Sequence, residues 1–470
     1  MHIMRGVAIA LVACGGARAM AQADPAVLDK IIDEGKNRNQ VMKHLRYLTK
    51  DIGHRLTGST NLQRACEWTA DQFRSFGLQN VKLEKWGEVP VGFDRGKRQI
   101  ARMVSPTPRD FEFTSPSWTP GTAGLQRGVA VKQPTTLEEF ETVKAKLKGA
   151  WLVTQSAPRR GGQVTDEQAK LQEAIDGSGA LGLVYGSRNE LVITSGRYTN
   201  LTMETLPKDV RIMVRKSDID AIFEQIDAGK EVVLEFDLEQ KFVPGPIPVY
   251  NVVAEIPGTE FPDEVVIVSG HLDSWDGPGS EGCCDNGTGT MVAVEAARIL
   301  MACGAKPKRT IRFVLWTGEE QGLLGSRAYV EMHKDSLSKI SAVFVDDGGT
   351  NYQGGLVCLK EMEPILKEAI EPAMKAFPDL PMQIRVVERM PRGGGSDHAP
   401  FNAVGVPGFF WMETGRSNYT HVHHTQHDHL DYAIPEYLVQ SSTNSAAAAY
   451  IVASAPTMLP REAQGTDGGK

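Results

Sequence analysis

Side chains of the types that can bind metal ions follow several apolar runs of this sequence, at the points where the runs end. A run at 265–269 is followed by His271 and Asp273, and a run at 310–316 is followed by Glu319 and Glu320. If packed together, such carboxylates would repel and raise one another's pKa, and a pair of divalent cations removes that cost. The pattern recurs with Asp285 before a predicted helix, Asp346 and Asp347 after the run 340–345, and His424 in the His-rich tract 423–429.

The types of these side chains indicate which metal the site would hold. Imidazole and carboxylate groups without thiolates suit catalytic zinc with open positions, rather than a closed structural zinc site. The chain has six cysteines but no C-x-x-C pair, which argues against a thiolate site. Taken alone, each short motif is explained as a turn, a solvated helix start or a surface pair. Their recurrence in order at predicted strand ends favours one shared metal centre.

The hydrophobic periodicity after residue 249 predicts how these side chains come together. Short apolar runs alternate with helical patterns, and such runs are typical of strands that are buried on both faces of a sheet. This alternation predicts a largely parallel sheet with helices on both sides, where ligands bind at the carboxyl ends of the strands. The predicted strands are 265–269, 310–316, 340–345 and 408–412, and the predicted helices are 288–301, 324–332, 363–376 and 435–453.

A separate α/β unit is predicted between residues 126 and 246. The segment 244–248 is rich in Pro and is interpreted as a stiff linker that leads out of this unit. The unit contains no cluster of potential metal ligands, so we interpret it as a lid or a substrate-shaping domain. Its predicted strands are 128–132, 150–155, 180–185 and 232–238, and its predicted helices are 166–175 and 217–228.

Length and charge limit the classes of protein to consider. A chain of 470 residues is long for one ordinary core and favours two domains. The net charge of −7 and the lack of a dense Lys/Arg run argue against a nucleic-acid partner. No segment of the mature chain approaches ~18 uninterrupted apolar residues, so we expect no integral membrane segment.

The two ends of the chain are predicted to lie outside the folded part. Residues 1–23 are expected to form a signal peptide, with the positive charge of Arg5, a short apolar stretch and small-residue cleavage sites at 17–21. The segment that ends at Cys14 also resembles a lipoprotein processing box, so a lipid anchor at Cys14 is an alternative. We therefore expect an exported protein, either periplasmic or secreted. Residues 459–470 are expected to form a disordered tail.

The order of the motifs resembles that of the zinc aminopeptidase/glutamate carboxypeptidase family of clan MH, and is most similar to its carboxypeptidase Q-like branch. The resemblance spans about 40–455. It implies an α/β fold in which a mostly parallel, mixed sheet is sandwiched by helices, with a catalytic domain formed by 24–125 and 247–458 and an inserted protease-associated domain at 126–246. The motifs that carry it are Gly270–Ser274, Asp285–Gly289, Thr317–Ser326, Ser396–Phe401 and His424–Asp428, preceded by Arg55–Ser59.

The resemblance also implies a role for each residue of the metal centre. His271 and Asp347 would hold one zinc ion, Glu320 and His424 would hold a second, and Asp285 would bridge both. A metal-bound hydroxide would then attack the scissile carbonyl, with Glu319 as the general base. Adjacent residues at a strand end point to different sides, so Glu319 and its neighbour can have different roles.

Several further positions near this centre are candidates for supporting roles. Asp273 is expected to accept a hydrogen bond from the His271 imidazole and to fix its tautomer. Asp346 is the alternative candidate to Asp347 as a metal ligand, and the family alignment favours Asp347. Asp428 and the pair Asp397 and His398 are further pocket candidates. Many family members have Tyr directly before the last ligand, where this chain has a different residue, so the partner of the oxyanion is left open among His423, Tyr419 and His398.

These observations predict an exopeptidase that binds two zinc ions and hydrolyses terminal peptide bonds of small peptides. Aminopeptidase or dipeptidase action is expected before carboxypeptidase action, because of the family and not because of the ligands. Arg392 or Arg416 could bind a substrate carboxylate, although surface solvation is the simpler interpretation of either. The alternatives are a glutaminyl cyclase with one zinc ion and a non-catalytic pseudo-peptidase that acts as a binding module. We expect a monomer or a homodimer.

Overall fold

The structure is a computed structural model that describes residues 23–157, 165–198 and 201–462. Its helices are α1 (Pro25–Asn37), α2 (Val41–Arg46), α3 (Thr60–Phe76), α4 (Leu137–Val143), α5 (Asp166–Asp176), α6 (Lys216–Asp227), α7 (Thr288–Ala302), α8 (Leu324–Met332), α9 (Glu363–Ala376), α10 (Ala399–Ala403), α11 (Tyr419–Val422) and α12 (Pro435–Ser454). Its strands are β1 (Gln79–Ser105), β2 (Arg109–Asp110), β3 (Phe113–Thr114), β4 (Gln126–Lys132), β5 (Trp151–Thr154), β6 (Gly182–Gly186), β7 (Arg211–Val214), β8 (Val233–Ile256), β9 (Phe261–His271), β10 (Arg309–Trp316), β11 (Ile340–Val345), β12 (Tyr352–Gln353), β13 (Gly355–Leu359), β14 (Gln383–Val387), β15 (Gly408–Phe410) and β16 (Glu413–Thr414).

Strands β15, β11, β9 and β10 lie side by side and run parallel, and β8 continues the sheet in the antiparallel direction. Alternate residues of β9 face two different hydrophobic cores. Val266 and Val268 pack into the core that contains α7 and α12, whereas Val265 and Ile267 pack against α8 and α10. The apolar runs are continuous because both faces of these strands are buried. The predicted mixed sheet between two layers of helices is confirmed.

Strands β1 and β8 form a long antiparallel ribbon that joins two parts of the molecule. They pair from Gln79 opposite Glu255 to Ser105 opposite Val233. The prediction of a stiff linker at 244–248 is therefore wrong, because this segment lies inside β8. Between the parts that pair with β4 and β10, β8 has β1 as its only partner strand among the described residues, and Pro is tolerated where one edge of a strand is free.

Beyond β8 the same sheet continues through β4, β5, β6, β7 and β3. Helices α4 and α5 pack on one face of these strands, and α6 packs on the other. The segment 126–246 thus contains an α/β unit with its own cores, although the first strand of the ribbon also contributes to one of them. The boundaries at 126 and 246 and the protease-associated assignment remain predictions.

At the carboxyl end, the folded part of the chain extends beyond the predicted boundary at residue 458. Leu459 is 3% exposed, and its N–H donates to Ser341 Oγ. Arg461 donates to the backbone carbonyls of Leu337 and Ile340. The prediction that the disordered tail begins at 459 is therefore wrong, because the chain remains packed on the start of β11. Residues 463–470 lie outside the described residues.

The predicted signal peptide, with Cys14, lies outside the described residues apart from Ala23. Over the part of the chain that the structure describes, no helix combines the length and the apolar character needed to cross a membrane.

Candidate active site

The sheet brings the predicted metal ligands to one edge. His271 is the last residue of β9, Glu320 follows the end of β10, and Asp347 follows the end of β11. Because these strands are parallel, their carboxyl ends lie at the same edge of the sheet. Asp285 lies in the turn Cys283–Gly287 that leads into α7, and its peptide bond to the next residue is cis.

Two imidazoles of this edge face the two oxygens of one carboxylate. His271 Nε2 lies 3.3 Å from Asp285 Oδ1 and 3.1 Å from Asp347 Oδ1. His424 Nε2 lies 3.0 Å from Asp285 Oδ2 and 2.9 Å from Glu320 Oε2. Asp285 is thus the member shared by two groups of potential ligands, one with His271 and Asp347 and one with His424 and Glu320.

The donor set has the chemistry that a zinc ion requires. His271 Nδ1 lies 3.0 Å from the backbone oxygen of Asp273, so the N–H of a neutral ring is at Nδ1 and the lone pair is at Nε2. In the neutral ring that lone pair faces the carboxylate oxygens of Asp285 and Asp347 and can bind a cation between them. Without a metal ion, burial opposes a charge on the ring, but the nearby carboxylates outweigh it and raise the pKa of His271, which favours a proton on Nε2. Imidazole nitrogen and carboxylate oxygen are both ligands of catalytic zinc.

Charge and burial at this edge shift the pKa values of the ionisable groups. Burial and the Asp285 carboxylate raise the pKa of Glu320 to about 7. Burial raises the pKa of Glu319 well above its ordinary value, and the carboxylates of Asp347 and Asp397 add to this effect. Burial opposes ionisation of Asp285, but the imidazoles of His271 and His424 outweigh it and lower its pKa. A divalent cation relieves repulsion among such carboxylates.

Asp273 holds the centre together, but not in the predicted way. The backbone oxygen of Asp273, and not its carboxylate, accepts the hydrogen bond from His271 Nδ1, and Asp273 Oδ1 lies 3.7 Å from that nitrogen. The carboxylate instead accepts from the backbone N–H groups of Glu319 and Glu320, both at 3.3 Å, and from Thr57 Oγ1 at 3.2 Å. The predicted hydrogen bond from the imidazole to Asp273 is therefore made through the backbone, while the strand end turns the carboxylate towards the loop after β10. Asp273 therefore orients the two adjacent glutamates.

Asp346 and Asp347 point to different sides of the strand end. Asp346 Oδ2 accepts a hydrogen bond of 2.6 Å from Gln353 Nε2 and is buried away from the imidazoles. Asp347 Oδ1 faces His271. The geometry therefore places Asp347, and not Asp346, beside the potential ligands.

Asp428 and Trp275 support the loops that carry the potential ligands. Asp428 Oδ1 accepts from the backbone N–H of Cys284 at 2.5 Å and from that of Asp285 at 3.4 Å. The N–H of Trp275 donates to Glu320 Oε1 at 3.2 Å, and its ring lies edge-on to the His424 ring, with the ring centroids 6.3 Å apart. Asp428 was a candidate from the sequence, whereas Trp275 was not, because its position after the Gly270–Ser274 motif is the only local signal that it offers.

Arg55 was noticed only as part of a motif, and its structural role was missed. Its buried guanidinium donates to the backbone oxygens of Leu272, Gly282 and Glu281. It therefore ties the loop after β9 to the turn that carries Asp285. A buried Arg that binds only backbone oxygens has no local signal in a sequence.

An open cavity of about 490 Å3 lies over these side chains. Among the described residues that line it, none is Arg or Lys. Arg416 is exposed and pairs with Glu436 at 2.7 Å, and Arg392 is exposed and lies 3.8 Å from Glu462. The lining residues are His271, Asp285, Glu319, Glu320, Gly322, Leu323, Asp347, Gly395, Phe410, Tyr419, His423 and His424.

Comparison with known proteins shows related sequences over most of the chain. Residues 251–449 match peptidase family M28. Carboxypeptidase Q from Mus musculus is 30% identical over 433 residues, which cover 91% of this chain and 88% of the mouse protein. Carboxypeptidase Q from Homo sapiens is 28% identical over 433 residues, with the same shares of the two chains.

Two solved structures are also similar to this chain over most of its length. A peptidase M28 precursor from Shewanella amazonensis SB2B superposes with a TM-score of 0.65 at 26% identity, and the match covers 93% of this chain and 98% of that one. A zinc aminopeptidase from Bacillus subtilis superposes with a TM-score of 0.54 at 21% identity, covering 87% of this chain and 93% of that one. The second likeness is one of fold.

Proposed function

The chain belongs to peptidase family M28, and we propose that it is an exported zinc exopeptidase that uses two zinc ions to cleave terminal bonds of small peptides. One observation carries the proposal of two ions. The two carboxylate oxygens of Asp285 face two different histidines, His271 and His424, at 3.3 and 3.0 Å. A carboxylate placed in this way can bridge two cations.

In this proposal each histidine holds one ion together with one further carboxylate. His271 acts with Asp347, and His424 acts with Glu320, while Asp285 contributes to both. When bound, a zinc pair polarises the scissile carbonyl and lowers the pKa of the attacking water. Asp273 and Asp428 hold the ligand loops through backbone N–H groups, so that the ligands are in place before substrate binds.

Glu319 is the proposed general base. Its carboxylate lines the cavity, is mostly buried, and lies 4.0 Å from His271 Nε2. Glu320, the adjacent residue, faces His424 instead, so the two glutamates serve different roles. Glu319 takes a proton from the attacking water on a carboxylate oxygen and returns it to the leaving amine.

Tyr419 is favoured as the partner of the oxyanion. Its side chain lines the cavity, whereas that of His398 does not. Burial and the nearby carboxylates of Asp285 and Asp347 raise the pKa of Tyr419 well above its ordinary value, so the phenol keeps its proton and can donate it in a hydrogen bond. His423 also lines the cavity, but burial lowers its pKa and favours the neutral ring.

Replacing Tyr419 with Phe should lower kcat by about 10²–10³-fold, the usual loss for an oxyanion donor, with KM and zinc content little changed. The matched control is Tyr352→Phe, because the Tyr352 hydroxyl donates to Pro381 O away from the cavity. Steady-state kinetics on an amino-acid anilide measures both variants. Wild-type kcat in Tyr419→Phe would exclude the phenol and leave His423 as the candidate.

The cavity favours action at the amino end of the peptide. A free substrate carboxylate is usually bound by Arg, and the described lining of the cavity contains neither Arg nor Lys. Aminopeptidase or dipeptidase action is therefore proposed in preference to carboxypeptidase action.

A digest of matched peptides tests this function. The zinc-loaded protein should cleave dipeptides and amino-acid anilides with a free amino group and should not cleave their N-acetylated forms. Arg392→Ala should leave dipeptide cleavage unchanged, because this side chain is exposed and outside the cavity lining. Release of carboxy-terminal residues from N-acetylated peptides would reverse the proposed end preference. Inactivity on the whole panel would favour a binding module.

The cyclase alternative requires a different metal content. A glutaminyl cyclase of this fold would use one zinc ion, whereas the two groups of side chains around Asp285 provide for two. Elemental analysis that finds one zinc ion per active chain would favour the cyclase.

A further inference from the structure

Segment 190–196, which follows β6, lies against the backbone of a proposed metal ligand. The N–H of Thr194 donates to the backbone oxygen of His424 at 2.9 Å. Ile193 and Thr425 form an isolated antiparallel bridge beside this bond. The contact therefore joins the α/β unit at 126–246 to the loop that carries His424.

The side chain of Gln426 extends the same contact. Gln426 Oε1 accepts from the N–H of Val192 at 2.7 Å. Its Nε2 donates to the backbone oxygen of Glu190 at 3.0 Å and to Glu112 Oε2 at 2.9 Å. Gln426 is 7% exposed; its bond to Val192 is buried, and its bonds to Glu112 and Glu190 are partly buried. All three partners lie far earlier in the chain, at 112–192.

His424 needs such support more than His271 does. His424 has φ of 54°, in the left-handed region that side chains other than Gly rarely adopt, and such a conformation persists only where the surroundings fix it. Its side chain is 31% exposed, whereas the side chain of His271 is 1% exposed and belongs to β9. The sheet fixes one imidazole, and a contact between distant parts of the chain fixes the other.

We propose that segment 190–196 and Gln426 are positioning elements for His424 and thereby set the affinity of one metal position. The position held by His424 and Glu320 depends on this contact, and the position held by His271 and Asp347 does not. The inference rests on the proposed function, because it requires two metal positions. It gives the unit at 126–246 a part in metal binding although none of the proposed ligands belongs to the described residues of that unit.

Stepwise zinc titration of the metal-free protein, followed by calorimetry with a competing chelator, tests the inference. The wild type should bind zinc in two steps, and His424→Ala identifies the step that depends on His424. In Gln426→Leu the zinc affinity of that same step should fall about 10–100-fold, the usual effect of removing a group that orients a ligand. The other step should keep its wild-type affinity.

Asn39→Leu is the control for the loss of a half-buried amide that makes several hydrogen bonds. The Asn39 side chain also makes three contacts, to Gly35 O, Ser442 Oγ and the N–H of Val41, and none of them involves the metal edge. This variant should lower the Tm and leave both zinc steps unchanged. Equal weakening of both steps in Gln426→Leu, or no change in either, would overturn the inference. If the wild type binds zinc in a single step, the proposed function with two zinc ions is itself wrong.

A second pair of variants serves if Gln426→Leu does not fold. Gln426→Glu keeps the acceptor for the Val192 N–H but sets a carboxylate against Glu112, and should weaken the His424-dependent step. Adding Glu112→Gln returns a donor to that contact and should restore part of the lost affinity. A double variant no better than Q426E would contradict the assignment.

Discussion

The Glu319→Gln variant should retain two zinc ions and lose peptidase turnover by about 10²–10⁴-fold, the usual contribution of a general base. The amide has the size of the carboxylate but cannot take a proton from the attacking water. Among the described residues, the Glu319 carboxylate makes no ion pair other than its 4.0 Å approach to His271, so its replacement should disturb the proposed ligands little. Parallel measurements of kcat and of zinc per chain separate the loss of the base from the loss of metal.

The adjacent glutamate supplies the control. Glu320→Gln changes a side chain that lies 2.9 Å from His424 Nε2 and should therefore weaken metal binding as well as turnover. Turnover close to that of the wild type in Glu319→Gln would remove Glu319 from the role of base. Loss of zinc from Glu319→Gln would instead indicate that Glu319 is a metal ligand.

The Asp285→Asn variant should have the largest effect on metal content. An amide nitrogen in place of one carboxylate oxygen leaves at least one of the two histidines without its shared partner. We expect loss of at least one zinc ion per chain and a fall in kcat of about a thousand-fold, because a metal supplies several kcal/mol to the transition state. Elemental analysis and kinetics on the same preparation measure the two effects together.

Asp346→Asn is the control for this change. Asp346 is buried, its pKa is raised to about 7 by burial, and it accepts a hydrogen bond from Gln353 that an amide oxygen can also accept. This variant should keep both zinc ions and most of the turnover. Two zinc ions and full turnover in Asp285→Asn would show that Asp285 does not bridge.

The strands and helices that carry the site could be predicted from local sequence. The predicted strand 340–345 and the predicted helix 363–376 match β11 and α9 residue for residue. Strands buried on both faces are apolar throughout, and the ligands follow directly where each strand ends. The edge where His271, Glu320 and Asp347 gather therefore follows from strand ends and parallel order.

The errors arose where a distant partner decides the structure. The segment 244–248 has the composition of a linker, yet pairing with β1 makes it part of a strand. The carboxylate of Asp273 turns to the N–H groups after β10, a choice that depends on which donors the fold leaves unpaired. The contacts of Arg55 and Gln426 join residues more than two hundred positions apart, and no local pattern predicts them.

Anomalous scattering at the zinc edge from crystals of the zinc-loaded protein tests the central claim most directly. It should show two zinc ions about 3.5–4 Å apart, one beside His271 and Asp347 and one beside His424 and Glu320, with Asp285 between them. One zinc ion at this edge, or two ions that do not share Asp285, would contradict the account.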